Sequence, residues 1–135
     1  MGKPNLTSLV LSNISVTLLT AIIALPFLPV IEAKLFPVVG TLSFEEVVEG
    51  DDFLDVYVHF EKFRACEFIG LTFVQGNGRL LVEFPDRDDS LPPSRPVGEW
   101  ITGPWRVYTN TLDGVSIVVE HRCHSMWNVF TEIYP

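Results

Sequence analysis

The chain has 135 residues, enough for one hydrophobic core of ordinary size, and its formal net charge is −8. From Leu35 onward there are sixteen acidic side chains against seven basic ones, which argues against a nucleic-acid partner because phosphate binding requires a concentrated basic surface. The mean hydropathy is 0.30 because apolar residues are concentrated near the N-terminus, so composition predicts a membrane segment followed by an acidic domain.

The first predicted element is a transmembrane helix. No residue from Pro4 to Ile31 is charged, and Leu6–Leu25 alone supplies the roughly 20 residues that cross about 30 Å of hydrocarbon as a helix. Glu32 and Lys34 then mark the return to a polar medium. We therefore expect this segment to hold the protein in a lipid bilayer.

The flanking charges predict the orientation of this helix. Lys3 and the α-amino group precede the span, whereas Lys34 after it is offset by Glu32 and by further carboxylates. The positive-inside rule then favours a cytoplasmic N-terminus. We expect residues 1–34 to form a transmembrane anchor and residues 35–135 to form a β-rich domain in the periplasm or outside the cell.

A cleaved signal peptide is the alternative to an anchor. The sequence Ile31-Glu32-Ala33 loosely resembles a small-residue cleavage site. The hydrophobic region of a signal peptide runs to about 15 residues, however, and this apolar stretch approaches twice that length. The sequence therefore favours a retained helix over a removed one.

A stripe of small residues follows one face of the predicted helix. Asn13, Thr17, Thr20 and Ala24 recur at helical spacing, so another transmembrane helix could approach closely along them. This pattern predicts a homo-oligomer or a partner in the membrane. The alternative is that the hydroxyl groups bond to the backbone of their own helix, as they do in many membrane spans.

The rest of the chain predicts an all-β fold of about seven antiparallel strands, arranged as a small sandwich or barrel. Apolar and polar residues alternate from Leu54 to Glu61, which is the period of a strand buried on one face. Gly76-Asn77-Gly78 predicts a tight turn, so Leu71 to Phe84 should form a hairpin. A loop is expected over residues 86–96. Other strands are expected at residues 42–48, 66–74, 105–108, 115–123 and 127–134.

The two cysteines, Cys66 and Cys123, fall on the apolar rows of predicted strands. Outside the cytoplasm they are expected to form a disulfide, which would stabilise the fold by about 4 kcal/mol in the chain-entropy model. Two buried free thiols are the alternative, and they are expected if the domain is cytoplasmic.

Sulfur and imidazole groups crowd in the segment His121-Arg122-Cys123-His124, and with His59 and Cys66 they raise the hypothesis of a zinc site. Neighbouring strand residues face opposite ways, and no Cys-x-x-Cys or His-Glu-x-x-His pattern is present. We therefore expect no metal, no other cofactor and no catalytic residue. Acidic clusters at residues 49–55 and 86–89 also lack the pattern of a calcium loop and are interpreted as solvated turns.

Large aromatic side chains concentrate in the last third of the chain. Such residues anchor protein interfaces when they are exposed, and they fill the core when they are buried. The interface candidates are Trp100, Trp105, Tyr108 and Trp127.

Three C-terminal segments carry a resemblance to a group of known proteins. Gly103–Val107, Val119–His124 and Ile133–Pro135 resemble small single-span membrane proteins of unknown function encoded by bacteriophages and prophages. The resemblance covers mainly the last third of the chain. It implies a bacterial inner-membrane setting or a phage particle, and it assigns no catalytic residue.

These observations predict a membrane-anchored extracytoplasmic binding or structural module that is not an enzyme. Its expected partners are membrane lipid and either another protein or a second copy of the chain, at a bacterial envelope or in a phage assembly. One alternative is a secreted or virion structural protein whose N-terminus is removed or buried in a partner. Another is a metal-dependent envelope hydrolase that uses His121, Cys123 and His124.

Overall fold

The computed structural model describes residues 6–85 and 94–135, and it confirms an N-terminal apolar helix followed by an all-β sandwich. The helical part consists of α1 (Leu6–Ala24), a 3₁₀ turn (Leu25–Phe27) and α2 (Leu28–Leu35). Pro26 and Pro29 have no N–H to donate to the preceding turn, but Ala24 and Phe27 before them keep right-handed helical angles. The prolines therefore mark the change of helix type without ending the helical path.

Eight strands follow in the described residues, one more than the sequence predicts. In chain order they are β1 (Ser43–Glu49), β2 (Leu54–Lys62), β3 (Glu67–Gln75), β4 (Gly78–Leu80), β5 (Val82–Glu83), β6 (Gly98–Val107), β7 (Val115–Arg122) and β8 (Val129–Tyr134). The first sheet has the order β1-β2-β6-β5 and the second has the order β4-β3-β7-β8. All the pairings are antiparallel.

The predicted Leu71–Phe84 hairpin is correct only in part. The β3–β4 turn forms at Gly76, which has a φ of 58°, and Phe73 pairs with Leu80. The strand is then interrupted at Leu81. Strand β5 joins the other sheet, where Val82 pairs with Val107. The chain thus crosses from one sheet to the other between β4 and β5. The sequence could not predict this crossing, because β4 and β5 have the same alternation of side chains as one continuous strand.

The core is formed by the inward rows of both sheets. Along β7, Val115, Ile117 and Val119 are buried while the residues between them are not. The ring of Phe73 meets the indole of Trp105 edge to face, with centroids 6.2 Å apart. These alternating rows explain why a period of two in the sequence predicts this fold.

Strand β6 is longer than the sequence predicts because it contains a bulge. The strand was expected over residues 105–108, but it begins at Gly98. Val56 pairs with Trp105 and Val58 pairs with Thr102, so two residues of β6 lie opposite Tyr57 alone and the β6 side has one additional residue. A Cβ atom on Gly103 would lie 2.8 Å from the carbonyl oxygen of Val56, which only glycine avoids. The bulge carries Trp105 into the core.

The sandwich has two ends, about 26 Å apart along the nine-residue strand β2. The helix-proximal end contains the β2–β3 and β7–β8 connections, residues 63–66 and 123–128, beside α2. The helix-distal end contains the start of β2 and the end of β6, where Leu54 pairs with Val107.

Of the loop predicted at residues 86–96, residues 86–93 lie outside the described residues, and so does the acidic cluster at residues 86–89.

Candidate functional site

At the helix-proximal end, one carboxylate holds α2 against the sandwich. Oε1 of Glu32 accepts a hydrogen bond from Nη2 of Arg64 at 2.9 Å, and Oε2 accepts one from Nε1 of Trp127 at 2.8 Å. Nε2 of His124 lies 3.0 Å from the same Oε2. We call these four residues the Glu32 cluster. Its donors come from both connections of this end, so α2 is fixed to two parts of the domain at once.

The tautomer of His124 follows from its second contact. The amide of Met126 donates to Nδ1 of His124 at 3.3 Å, so the proton of a neutral ring resides on Nε2 and points at Glu32. The His124 ring also packs edge to face on Trp127, with centroids 4.4 Å apart. These contacts leave only 14% of the Glu32 side chain exposed.

Arg64 extends the cluster to the end of α2. Its Nη1 donates to the carbonyl oxygen of Phe36 at 2.9 Å while Nη2 bonds to Glu32. The Phe36 amide in turn donates to the carbonyl oxygen of Glu32 at 2.8 Å. Beside these bonds, Ala33 packs against the core. The junction between helix and sandwich is therefore a packed and hydrogen-bonded contact.

A disulfide between Cys66 and Cys123 joins the same two connections, with a Cα–Cα distance of 4.5 Å. The predicted pairing is thus present. Cys66 is two residues from Arg64, and Cys123 precedes His124. The disulfide therefore holds in place the two connections that supply donors to Glu32.

Beneath the disulfide lies a buried polar pair. Lys62 is 2% exposed, and its Nζ donates to the carbonyl oxygen of Cys66 at 2.7 Å. Burial lowers the pKa of this amine. His121 is also 2% exposed, its Nδ1 has no hydrogen-bond partner among the described residues, and burial together with the charge of Lys62 lowers its pKa to about 4. His121 is consequently neutral at pH 7.

At the helix-distal end, apolar and aromatic side chains form an exposed surface that we call the distal aromatic patch. It consists of Phe53, Leu81 and Tyr108. Leu81 is 61% exposed and Tyr108 is 38% exposed. The Tyr108 amide bonds to the carbonyl oxygen of Leu81 at 3.1 Å, and the Phe53 and Tyr108 rings pack edge to face at 6.3 Å.

Charged groups fix the rings of this patch. Both nitrogens Nε and Nη2 of Arg106 donate to the carboxylate of Asp55 at 2.8 Å, and the guanidinium lies 4.0 Å from the Phe53 ring centroid. The hydrogen bonds from Arg106 outweigh partial burial and lower the pKa of Asp55. The Tyr108 hydroxyl donates to Glu83 at 2.9 Å. Exposed aromatic rings beside an ordered arginine are typical of protein-binding surfaces.

The four aromatic interface candidates lie in four separate places. Tyr108 belongs to the distal aromatic patch, and Trp127 belongs to the Glu32 cluster. Trp100 is half-buried at the start of β6, where its Nε1 donates to the carbonyl oxygen of Pro96 at 2.9 Å. Trp105 is 9% exposed and lies in the core, so the hypothesis that it contacts a partner is wrong. The β6 bulge is the reason, because it turns this indole inward.

The small-residue stripe lies on α1 with Asn13, Thr17, Thr20 and Ala24 all exposed. The Thr17 hydroxyl donates to the carbonyl oxygen of Asn13, and the Thr20 hydroxyl donates to that of Val16, both at 2.8 Å. These are bonds within the helix itself. Packing of the stripe against another helix stays a prediction.

The residues of the zinc hypothesis do not share a site. Cys66 and Cys123 form the disulfide and provide no thiolates. His121 faces the core beside the Phe68 ring, whereas His124 turns toward Glu32. Within residues 6–85 and 94–135, no three His, Cys, Asp or Glu side chains converge in a metal-binding arrangement.

Sequence reasoning missed the role of Glu32, which it interpreted as a marker of the polar medium beyond the membrane. A signal was present, since Glu32 is the first carboxylate after the apolar stretch and lies on the helix that continues it. Its partners Arg64, His124 and Trp127 are 32, 92 and 95 residues away, however, so only the folded chain brings them together.

Searches with this chain found no matching family model, no matching curated protein and no matching solved structure. The resemblance of its last third to phage-encoded membrane proteins therefore stays a prediction.

Proposed function

We propose that the protein is a membrane-anchored module whose β-sandwich lies outside the cytoplasm and binds another protein, at a bacterial envelope or in a phage-related assembly. The observation that carries this proposal is the helix of Val10–Leu35, which is long and apolar enough to cross a bilayer. Every described side chain of α1 is exposed, so the sandwich does not cover the apolar surface of this helix. In water such a surface would be unfavourable, and a lipid bilayer would cover it.

The disulfide supports the compartment in this proposal. Bonds such as Cys66–Cys123 form and persist outside the cytoplasm, whereas cytosolic thiols are kept reduced. The flanking charges favour the same orientation, with Lys3 on the cytoplasmic side.

The position of the distal aromatic patch supports a protein partner. The patch lies at the opposite end of the sandwich from α2, about 26 Å away along β2. A partner in the surrounding aqueous medium could reach it without displacing lipid. Tyr108 and Phe53 are large side chains held by fixed contacts, so binding would cost little side-chain entropy.

Expression of the full chain in bacteria tests the anchoring and the compartment. We expect the protein to stay in the membrane pellet after carbonate extraction, and we expect protease added to spheroplasts to digest the sandwich. Intact mass without reductant should show the whole chain less the two thiol protons. Release by carbonate, or full protection from protease, would contradict the proposal. A mass lacking the N-terminal segment would support the secreted alternative instead.

Site-specific crosslinking tests the binding surface. A photoreactive residue replaces Leu81 in the distal aromatic patch, and the control carries it at Glu67, which is similarly exposed at the other end. We expect a discrete crosslinked protein band from position 81 and none from position 67. Equal crosslinking at both positions would argue against a defined patch.

A further inference from the structure

We infer that the helix-proximal end of the sandwich rests on the bilayer and inserts apolar side chains into the boundary between lipid headgroups and acyl chains. This inference depends on the membrane anchoring proposed above and names a second binding surface, whose ligand is the lipid surface. Four exposed side chains, which we call the apolar rim, carry it. They are Leu35, Phe36, Phe63 and Met126, with exposed fractions of 66%, 62%, 46% and 70%.

The apolar rim surrounds the point where the helix enters the domain. Leu35 is the last residue of α2, and Phe36 follows it. Phe63 precedes Arg64 and Met126 precedes Trp127, and both of these neighbours bond to Glu32. The Glu32 cluster therefore holds all four rim residues beside the same end of the helix.

The length of the apolar helix places this end in the headgroup layer. The 26 residues of Val10–Leu35 extend about 39 Å at the rise of an α-helix. That length exceeds the hydrocarbon thickness of about 30 Å and approaches the roughly 40–45 Å that includes both headgroup layers. A helix spanning the bilayer thus reaches Leu35 within the far headgroup layer, at the level of the rim.

The attachment leaves little freedom for the domain to move away from that level. Glu32 receives donors from both connections of the helix-proximal end, and the disulfide joins those connections. Arg64 also bonds to the carbonyl oxygen of Phe36. Because the domain is attached at the helix end itself, the rim cannot be separated from the bilayer by a flexible linker.

The distribution of charge favours the same orientation. At the helix-proximal end, the basic residues Lys34, Arg95 and Arg122 offset most of the charge of the carboxylates there, which are Glu61, Glu67, Glu99 and Glu120. The turn at the distal end, residues 49–52, instead carries three exposed carboxylates and no basic residue. An anionic lipid surface therefore repels the distal end more than the proximal one.

Fluorescence quenching by brominated lipid tests the inference with the full chain. The protein is reconstituted in vesicles of phosphatidylcholine and phosphatidylglycerol with bromine on the acyl chains. A tryptophan is added by Met126→Trp at the rim or by the control Leu81→Trp at the distal end, and each signal is compared with that of the unaltered protein. Both positions are highly exposed, so neither substitution disturbs the core.

We expect the added tryptophan at position 126 to be quenched about threefold more than the one at position 81, because bromines on the acyl chains quench only tryptophans that insert at or below the headgroup boundary. Phe63→Trp should behave like Met126→Trp and serves as the second rim variant. Equal quenching at positions 126, 63 and 81 would overturn the inference.

Flotation of the same vesicles separates this outcome from failure of the proposed anchoring. Protein that floats with the vesicles but shows no rim quenching is anchored, and only the contact of the rim with lipid is then wrong. Protein that does not float overturns the anchoring and the rim contact together.

Discussion

The two ends of the sandwich contain similar side chains, since each combines an arginine, a carboxylate and aromatic rings, but the groups are connected differently. At the helix-proximal end, Glu32 joins α2 to two connections that are also linked by the disulfide. At the distal end, Arg106 and Asp55 pair between adjacent strands of one sheet and position the half-buried ring of Phe53. The first arrangement joins separate parts of the chain, and the second shapes a surface.

This comparison predicts that substitutions at the helix-proximal end lower the free energy of unfolding. Substitutions at the distal end should instead weaken binding of the partner and change the free energy of unfolding little. The predictions below test that contrast, beginning with the largest expected effect.

Removal of the disulfide should have the largest effect. Cys66→Ser combined with Cys123→Ser frees a loop with a sequence separation of 57 residues, and the chain-entropy model predicts a loss of about 4 kcal/mol in the free energy of unfolding. Chemical denaturation in detergent micelles, followed by tryptophan fluorescence, would measure it. An unfolding midpoint equal to that of the oxidised protein would show that the bond contributes nothing.

Acidification should destabilise the helix-proximal end through His121. Its folded pKa of about 4 lies below the ordinary value of 6.5, so the folded state binds fewer protons than the unfolded state between these pH values. Stability is therefore complete above pH 6.5 and falls as the pH decreases toward 4, by roughly 3 kcal/mol. Denaturation curves at several pH values test this.

The variant His121→Phe provides the control for the acid effect, because it removes the titrating group and keeps an aromatic ring in the core. Its stability should change much less between pH 6.5 and 4. If the variant and the unaltered protein lost stability equally in this range, the acid sensitivity would have to come from other groups.

Glu32→Ala should loosen the helix from the sandwich. The substitution leaves donors of Arg64, His124 and Trp127 without their acceptor, at an expected cost of about 2 kcal/mol. Hydrogen exchange should become faster at the Phe36 amide. Lys34→Ala on the exposed side of the same helix is the matched control, and comparable exchange in both variants would exclude a specific role for Glu32.

Asp55→Asn should have the smallest effect on stability, because the Arg106–Asp55 pair is partly exposed and water screens it. The substitution removes the charge that holds Arg106 against Phe53, so crosslinking from position 81 should weaken while the unfolding midpoint hardly changes. A loss of stability comparable to that of Glu32→Ala would contradict the prediction that only the helix-proximal end contributes strongly to stability.

The sequence by itself determined the class of the fold. Apolar residues alternate with a period of two along β2 and β7, and the core buries those rows, so the pattern was sufficient to predict strands. The apolar N-terminal helix was equally predictable, since uninterrupted hydrophobicity over that length is a local property. The two cysteines were correctly paired because only one intramolecular pairing exists.

Tertiary structure alone decided how these parts come together. The inward turn of Trp105 depends on a bulge opposite β2, and the break at Leu81 depends on which sheet receives β5. The Glu32 cluster joins residues up to 95 positions apart, and the distal aromatic patch forms where β2, β5 and β6 meet. Local patterns determine which residues become helix or strand, but contacts between distant residues exist only after the chain has folded. These contacts create the Glu32 cluster and the distal aromatic patch.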